Sequence, residues 1–191
     1  MALFTTNYNE VQENDYNALP TGEYEVLILS IKERETPNGK IGMNFDLVVR
    51  NDLKEVQSLK ETNGKFANRR VFTTEWKRNK NGSYKYELNN FMHYLAAVKV
   101  PEGTEIKDLN HLASLLRNKP VRVYIKEEEN TYQGNTEMVN TIAPWGFKPT
   151  QFENVNHQFK DDAQNNSKAN DNPWGTNDSS AADVQDDDLP F

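Results

Sequence analysis

Alternating apolar and polar positions predict β-strands in the first half of the chain. Residues 21–32 form a long β-prone run, and the turn-forming T-P-N-G at residues 36–39 separates it from residues 40–50. In that second run every other side chain from Ile41 to Val49 is apolar, so these side chains share one face. The two runs predict an antiparallel hairpin, and R-R-V-F-T-T-E-W at residues 69–76 predicts a third strand.

The apolar period changes to that of a helix from residue 88. Residues 88–96 and 106–116 each carry an apolar stripe with helical spacing, and residues 121–126 and 137–145 return to strand character. The order β-β-β-α-(α)-β-β predicts a mainly β fold with α. It is the order of an OB-fold, a five-stranded Greek-key barrel, although other α+β folds share it.

The last part of the chain differs from the rest in composition and charge. From about residue 154 it consists mostly of Asn, Asp, Ser, Gln, Ala and Gly, with too few apolar side chains to offset the entropy of ordering. Residues 161–191 carry eight Asp and one Lys, so they hold the whole formal net charge of −7. We therefore predict a folded domain at residues 1–149, a disordered acidic linker at 150–185 and a terminal hexapeptide at 186–191, D-D-D-L-P-F.

Catalytic chemistry has little support in the sequence. The chain has no cysteine, which fits a reducing compartment, and no run approaches the roughly 20 apolar residues of a membrane span. The three histidines, His93, His111 and His157, lack metal-ligand spacing, and the glycines lie singly at turns without a phosphate-binding motif. We predict a cytoplasmic protein that is not an enzyme and needs no metal or cofactor.

A basic-aromatic stretch at residues 65–86 suits single-stranded nucleic acid. It carries seven cations against Glu75, a net charge of +6, and interleaves them with aromatic rings. Cations neutralise phosphates, and flat rings stack on bases. Alternatively, Phe72 and Trp76 belong to the core and the basic turn serves solubility. The candidate DNA contacts of this stretch are Lys65, Arg69, Arg70, Phe72, Trp76, Lys77, Arg78, Lys80, Tyr84, Lys85 and Tyr86.

A second candidate row follows from strand parity. If Val121, Val123 and Ile125 face the core, then Arg122, Tyr124 and Lys126 face outward as further DNA contacts, unless they are ordinary mixed surface. By the same parity Asn44, Asp46 and Arg50 would form the polar face of the second strand. Because duplex binders are usually strongly basic, a net-neutral body with local basic rows favours one strand over a duplex.

The chain resembles single-stranded DNA-binding proteins of the phage-encoded type. The terminal D-D-D-L-P-F carries this resemblance, together with L-P-T-G-E-Y-E-V at 19–26, V-V-R-N-D at 48–52 and E-L-N-N-F at 87–91. The resemblance implies an OB-fold that coats single strands without strong sequence preference, in the bacterial host cytoplasm. It also implies a tip that recruits replication, recombination and repair proteins.

Within that tip the resemblance implies a role for each residue. Phe191 would enter an apolar pocket of a partner, and Pro190 would restrict the backbone after Leu189. Asp186, Asp187 and Asp188 would lie along a basic ridge of that partner.

Several alternatives remain at the level of sequence. The chain could be a decoy or adaptor that occupies host tip-binding pockets without binding DNA, or an RNA-binding OB-fold protein. The oligomeric state stays open, a homo-oligomer included. The second P-W-G, around Trp174, is either another docking motif or chance.

Overall fold

The structure is a computed structural model that describes residues 17–132 and 134–159. The predicted tip, Trp174 and the linker from residue 160 onward lie outside the described residues.

The described residues are mainly β with two short α-helices, as the sequence predicts. All five predicted strands and both predicted helices are present, and β6 is longer than expected. The last predicted strand, residues 137–145, ends already at Thr141, and three short strands, β4, β5 and β8, were not predicted. Within the described ranges, no helix is long and apolar enough to span a membrane. The elements are β1 Gly22–Glu35, β2 Ile41–Val49, β3 Arg70–Trp76, β4 Arg78–Lys80, β5 Ser83–Lys85, α1 Leu88–Ala97, α2 Leu109–Leu116, β6 Pro120–Tyr132, β7 Asn135–Thr141 and β8 Phe147–Pro149.

The strands form an antiparallel sheet in the order β3-β2-β1-β6-β7, and β8 pairs with β6. The long β1 connects the two halves of the sheet, because residues 22–27 pair with β6 and residues 26–35 pair with β2. A register shift between Ile28 and Ser30 lies within the β1–β2 pairing, and such an irregularity bends a strand. The sheet thus curls until β3 approaches the end of β7, where the Thr73 hydroxyl donates to the Ile142 carbonyl at 3.4 Å.

The concave face of the sheet and the two helices enclose the core. Side chains of β1, β2 and β6, among them Val26, Phe45 and Val123, are completely buried. The inner face of α1 covers them, since the ring centroid of Tyr94 lies 4.7 Å from that of Phe45. Leu116 of α2 is also fully buried. Core packing explains only part of the apolar stripe of α1, because Phe91 and Leu95 are buried whereas Leu88 and Met92 are exposed.

Residues 150–158, here called the strap, belong to the folded domain. The composition of the chain predicted that the domain ends at residue 149 and that a disordered linker begins at 150. In the structure the compact unit continues through Gln158. Glu25, which is fully buried, accepts a hydrogen bond from the Gln151 N–H at 3.0 Å. The His157 Nδ1 accepts the Asn51 N–H at 3.1 Å, so the strap is held near both of its ends.

Arg50 is the main anchor of this strap. Sequence parity placed it on the polar face of β2, which is wrong, because Arg50 follows the end of β2 and is completely buried. Its guanidinium binds both oxygens of Asp52, at 3.1 and 2.6 Å, and donates to the carbonyls of Phe152 and Asn154, each at 2.6 Å. A buried cation requires this degree of pairing.

Candidate nucleic-acid interface

The outward side chains of β3 carry the central part of the predicted interface. Val71 and Glu75 face inward and are buried, so Arg70, Phe72 and Trp76 face outward. Phe72 is 53% exposed and Trp76 is 38% exposed. The alternative that these two rings belong to the core is therefore wrong.

Trp76 packs closely over β2 because its cross-strand neighbour is a glycine. Gly42 pairs with Trp76, and a β-carbon at Gly42 would lie 2.6 Å from the indole Cε3. The backbone of β2 therefore supports one edge of the indole, and the Lys40 ammonium lies 5.9 Å from the ring centroid. This arrangement offers a fixed aromatic surface beside a cation.

The predicted outward row of β6 is also present. Val121, Val123 and Ile125 are completely buried, so the residues between and after them, Arg122, Tyr124 and Lys126, face outward. Tyr124 is half exposed. Strand parity thus placed this second row correctly.

Trp145 lies beside the second row, since it lines one groove together with Tyr124, and the sequence did not assign it. The nearby Ile142 is buried, and its carbonyl accepts a hydrogen bond from the Thr73 hydroxyl of β3. Trp145 follows in a 3-10 turn, Pro144–Gly146, and is 65% exposed. Its signal in the sequence was an aromatic residue between Pro and Gly, because a tight surface turn leaves its central side chain in solvent. We call the outward aromatic residues Trp76, Phe72, Trp145 and Tyr124 the aromatic band.

The remaining aromatic candidates divide into one exposed and one structural residue. Tyr84 lies on the small β4–β5 hairpin and is largely exposed, with Arg78, Lys80 and Lys85 on the same hairpin. Tyr86 instead packs on Phe91, with ring centroids 5.3 Å apart, and donates to Glu33 at 2.7 Å. Burial, together with the bond to Glu33, raises the pKa of Tyr86.

Most of the predicted cations have carboxylate partners that the linear sequence did not reveal. The lysine hydrogen bonds lower the pKa of Glu33, Glu61, Glu87 and Glu128, so these carboxylates are charged at neutral pH. The +6 counted along residues 65–86 is therefore largely offset in space. The pairs are Lys65–Glu61, Arg70–Asp46, Lys77–Glu33, Lys80–Glu87, Arg122–Glu23 and Lys126–Glu128.

Three predicted cations stand outside these pairs. Arg69 donates to the carbonyl of Asn17. Arg78 and Lys85 face each other across the β4–β5 hairpin, and neither forms an ion pair within the described ranges. In the same ranges no group of His, Asp and Glu side chains has the arrangement of a metal site. The interface therefore offers aromatic stacking first and net positive charge second.

Comparison with known protein families identifies a family for this chain. The profile of a family described as "Protein of unknown function (DUF669)" matches residues 4–168, which is most of the chain. No curated protein matches the chain.

Proposed function

The chain belongs to the DUF669 family, and we propose that it is a single-stranded DNA-binding protein. It coats exposed strands without strong sequence preference and recruits other proteins through its terminal hexapeptide. The observation that carries this proposal is the aromatic band, three exposed rings on the outer faces of β3 and β6 and a fourth on the turn beside β6. Exposed aromatic rings of this kind are unfavourable in water, and a base that stacks on such a ring contributes about 1–3 kcal/mol of binding free energy.

We assign the domain to the OB-fold. The sheet path β3-β2-β1-β6-β7, the helices between β3 and β6, and the approach of β3 to β7 support this assignment. OB-folds bind oligonucleotides across the face of their second and third strands and the adjoining loops. Phe72 and Trp76 lie on that face, so the fold and the aromatic band agree on one binding surface.

The chemistry of this surface favours binding without sequence preference. Reading a base requires free donors and acceptors directed at its edge. On β2 and β3 the polar outward groups bind each other instead: the Thr74 hydroxyl donates to Asn44 Oδ1 at 3.1 Å, and Arg70 binds Asp46. Stacking is then the main contact, and it tolerates every base.

The recruiting role rests on the resemblance of D-D-D-L-P-F, which lies outside the described residues. Asp186 to Asp188 would follow a basic ridge of the partner while Phe191 fills an apolar pocket. A chain lacking residues 186–191 should lose pull-down of replication and recombination proteins while keeping or tightening its DNA affinity. Loss of DNA binding on that deletion would contradict this division of labour.

Titration with oligo-dT tests the proposed function. Trp76 and Trp145 are exposed on the aromatic band, so stacking should quench tryptophan emission, and added salt should reverse the quenching. Absence of binding even at low salt would refute the proposal. A decoy would capture partner proteins and bind no oligonucleotide, whereas an RNA-binding protein would prefer RNA of the same sequence.

A further inference from the structure

A groove beside β6 contains two rings of the aromatic band. It is lined by Tyr124, Trp145 and the chain between β7 and β8, and it has a volume of about 420 Å³. That is within the range of roughly 300–1,000 Å³ that accommodates small ligands. We call it the Tyr124–Trp145 groove.

Local backbone packing fixes the positions of both rings. Ile142 and Phe147 are buried on either side of the Pro144–Gly146 turn and hold it against the core. Gly146 brings the turn close to β6, since a β-carbon there would lie 3.3 Å from the carbonyl oxygen of Tyr124. The two rings therefore project from neighbouring, closely packed backbones, which keeps the entropic cost of ordering them low.

Lysines add positive charge to this groove. Lys126 and Lys148 line it, and two carboxylates, Glu23 and Glu128, line it as well. Glu128 is paired with Lys126, and Glu23 with Arg122 at 3.1 Å. Lys148 forms no ion pair within the described ranges, so it is a cation of the groove that no carboxylate holds.

The two lysines of the groove lie at strand positions on opposite sides of Tyr124. Lys148 pairs with Arg122 across β6 and β8, whereas Lys126 pairs with Thr141 across β6 and β7. Tyr124 lies midway between Arg122 and Lys126, which are about 13 Å apart at 3.3 Å per residue. The flexible side chains of Lys148 and Lys126 could then converge on Tyr124 from opposite sides and meet the two phosphates that flank one stacked base.

We propose that the Tyr124–Trp145 groove binds one nucleotide of the single strand. Its base stacks on Trp145 and Tyr124, and Lys148 and Lys126 hold the flanking phosphates. This inference rests on the proposed function, and it extends the DNA path from β3 across the closure of the sheet to β6. Trp145 and Lys148, which sequence reasoning did not assign, become DNA contacts.

A reporter with one tryptophan tests the groove directly. The chain has three tryptophans, so Trp76→Phe with Trp174→Phe leaves Trp145 alone and keeps a ring at position 76. We expect oligo-dT to quench its emission, saturating at the oligonucleotide concentration that saturates a labelled strand. In the wild-type background, Tyr124→Ala should weaken binding about 5- to 150-fold, the loss of one base–ring stack.

A matched control and three outcomes keep the test decisive. Met92→Ala removes an exposed apolar side chain from α1, outside the aromatic band, and should leave affinity unchanged. If the reporter chain binds labelled DNA but Trp145 emission does not change, the groove is not on the DNA path, while the proposed function stands. If the wild-type chain binds no oligonucleotide, both fail. If Trp145 emission changes with DNA but Tyr124→Ala binds with native affinity, no base stacks on Tyr124 and the inference is overturned.

Discussion

Replacing Asp46 by Asn should strengthen DNA binding and steepen its dependence on salt. The Asp46 side chain is only 8% exposed and binds the Arg70 guanidinium through both oxygens. The same guanidinium lies 5.5 Å from the ring centroid of Phe72. A phosphate can recruit Arg70 only by leaving a nearly buried carboxylate without its cation, which is unfavourable. In the native protein Arg70 therefore contributes little to the attraction of DNA.

The size of the effect follows from counterion release. Asp46→Asn frees one guanidinium for one additional phosphate, which makes the slope of log K against log salt more negative by about 0.7 for a single strand. If the variant and the native chain bind equally well at 1 M salt, this difference in slope makes the variant bind about 5-fold more tightly at 0.1 M salt. The amide keeps the shape of the carboxylate and still accepts a hydrogen bond from Arg70, so we expect a stability loss of only about 1 kcal/mol.

Anisotropy of a labelled oligo-dT, measured over a salt series, gives both quantities. Glu153→Gln is the matched control, because Glu153 pairs with Lys99 and its loss changes the net charge equally. The control should bind with the native affinity and slope. If Asp46→Asn binds with an unchanged slope, or binds more weakly than the native chain, the reasoning about Arg70 is refuted.

Three further predictions concern the strap and the aromatic band. Asp52→Ala should lower the free energy of unfolding in urea by about 3–5 kcal/mol, because it leaves the buried Arg50 guanidinium without its carboxylate; a loss below 1 kcal/mol would contradict this. Burial lowers the pKa of His157, so the unfolded chain binds the proton more strongly. The contribution of His157 to stability is therefore present above pH 6.5, about its pKa in the unfolded chain, and is lost as the pH falls. In thermal unfolding, His157→Asn should lose less stability on acidification than the native chain, and parallel pH profiles of the two proteins would contradict this. Gly42→Ala should displace the Trp76 indole and weaken oligo-dT binding about 5-fold or more in a fluorescence titration. Native affinity of this variant would show that DNA binding does not need the native position of the indole.

The sequence predicted the features that depend on local periodicity. Alternation identified the strands, put Tyr124 on an outward face and put Phe72 on the same face as Trp76, because successive side chains of a strand point to opposite sides. It left open whether the face of Phe72 is turned to solvent or to the core. The helical period of 3.6 residues predicted α1 and α2, although Leu88 and Met92 of the α1 stripe are exposed. These features need no knowledge of which strands lie side by side.

Features that depend on tertiary neighbours could not be predicted in this way. The partner of Arg70 lies 24 residues away and the partner of Arg122 lies 99 residues away, so a charge count along one stretch overestimated the positive field. The sequence of the strap resembles a polar linker, because the strap is ordered by hydrogen bonds to Arg50, which lies more than 100 residues earlier in the chain. Its side chains supply little apolar burial, which is the signal that sequence reasoning uses.

The central claim is that the outer surface of this domain binds single-stranded DNA. Anisotropy of labelled oligo-dT at low salt, with unlabelled duplex DNA and RNA of matching length as competitors, tests it most directly. We predict saturable binding that oligo-dT itself competes away and that duplex and RNA displace poorly. Absence of binding at low salt, or displacement by duplex or RNA as effective as by oligo-dT, would contradict the claim.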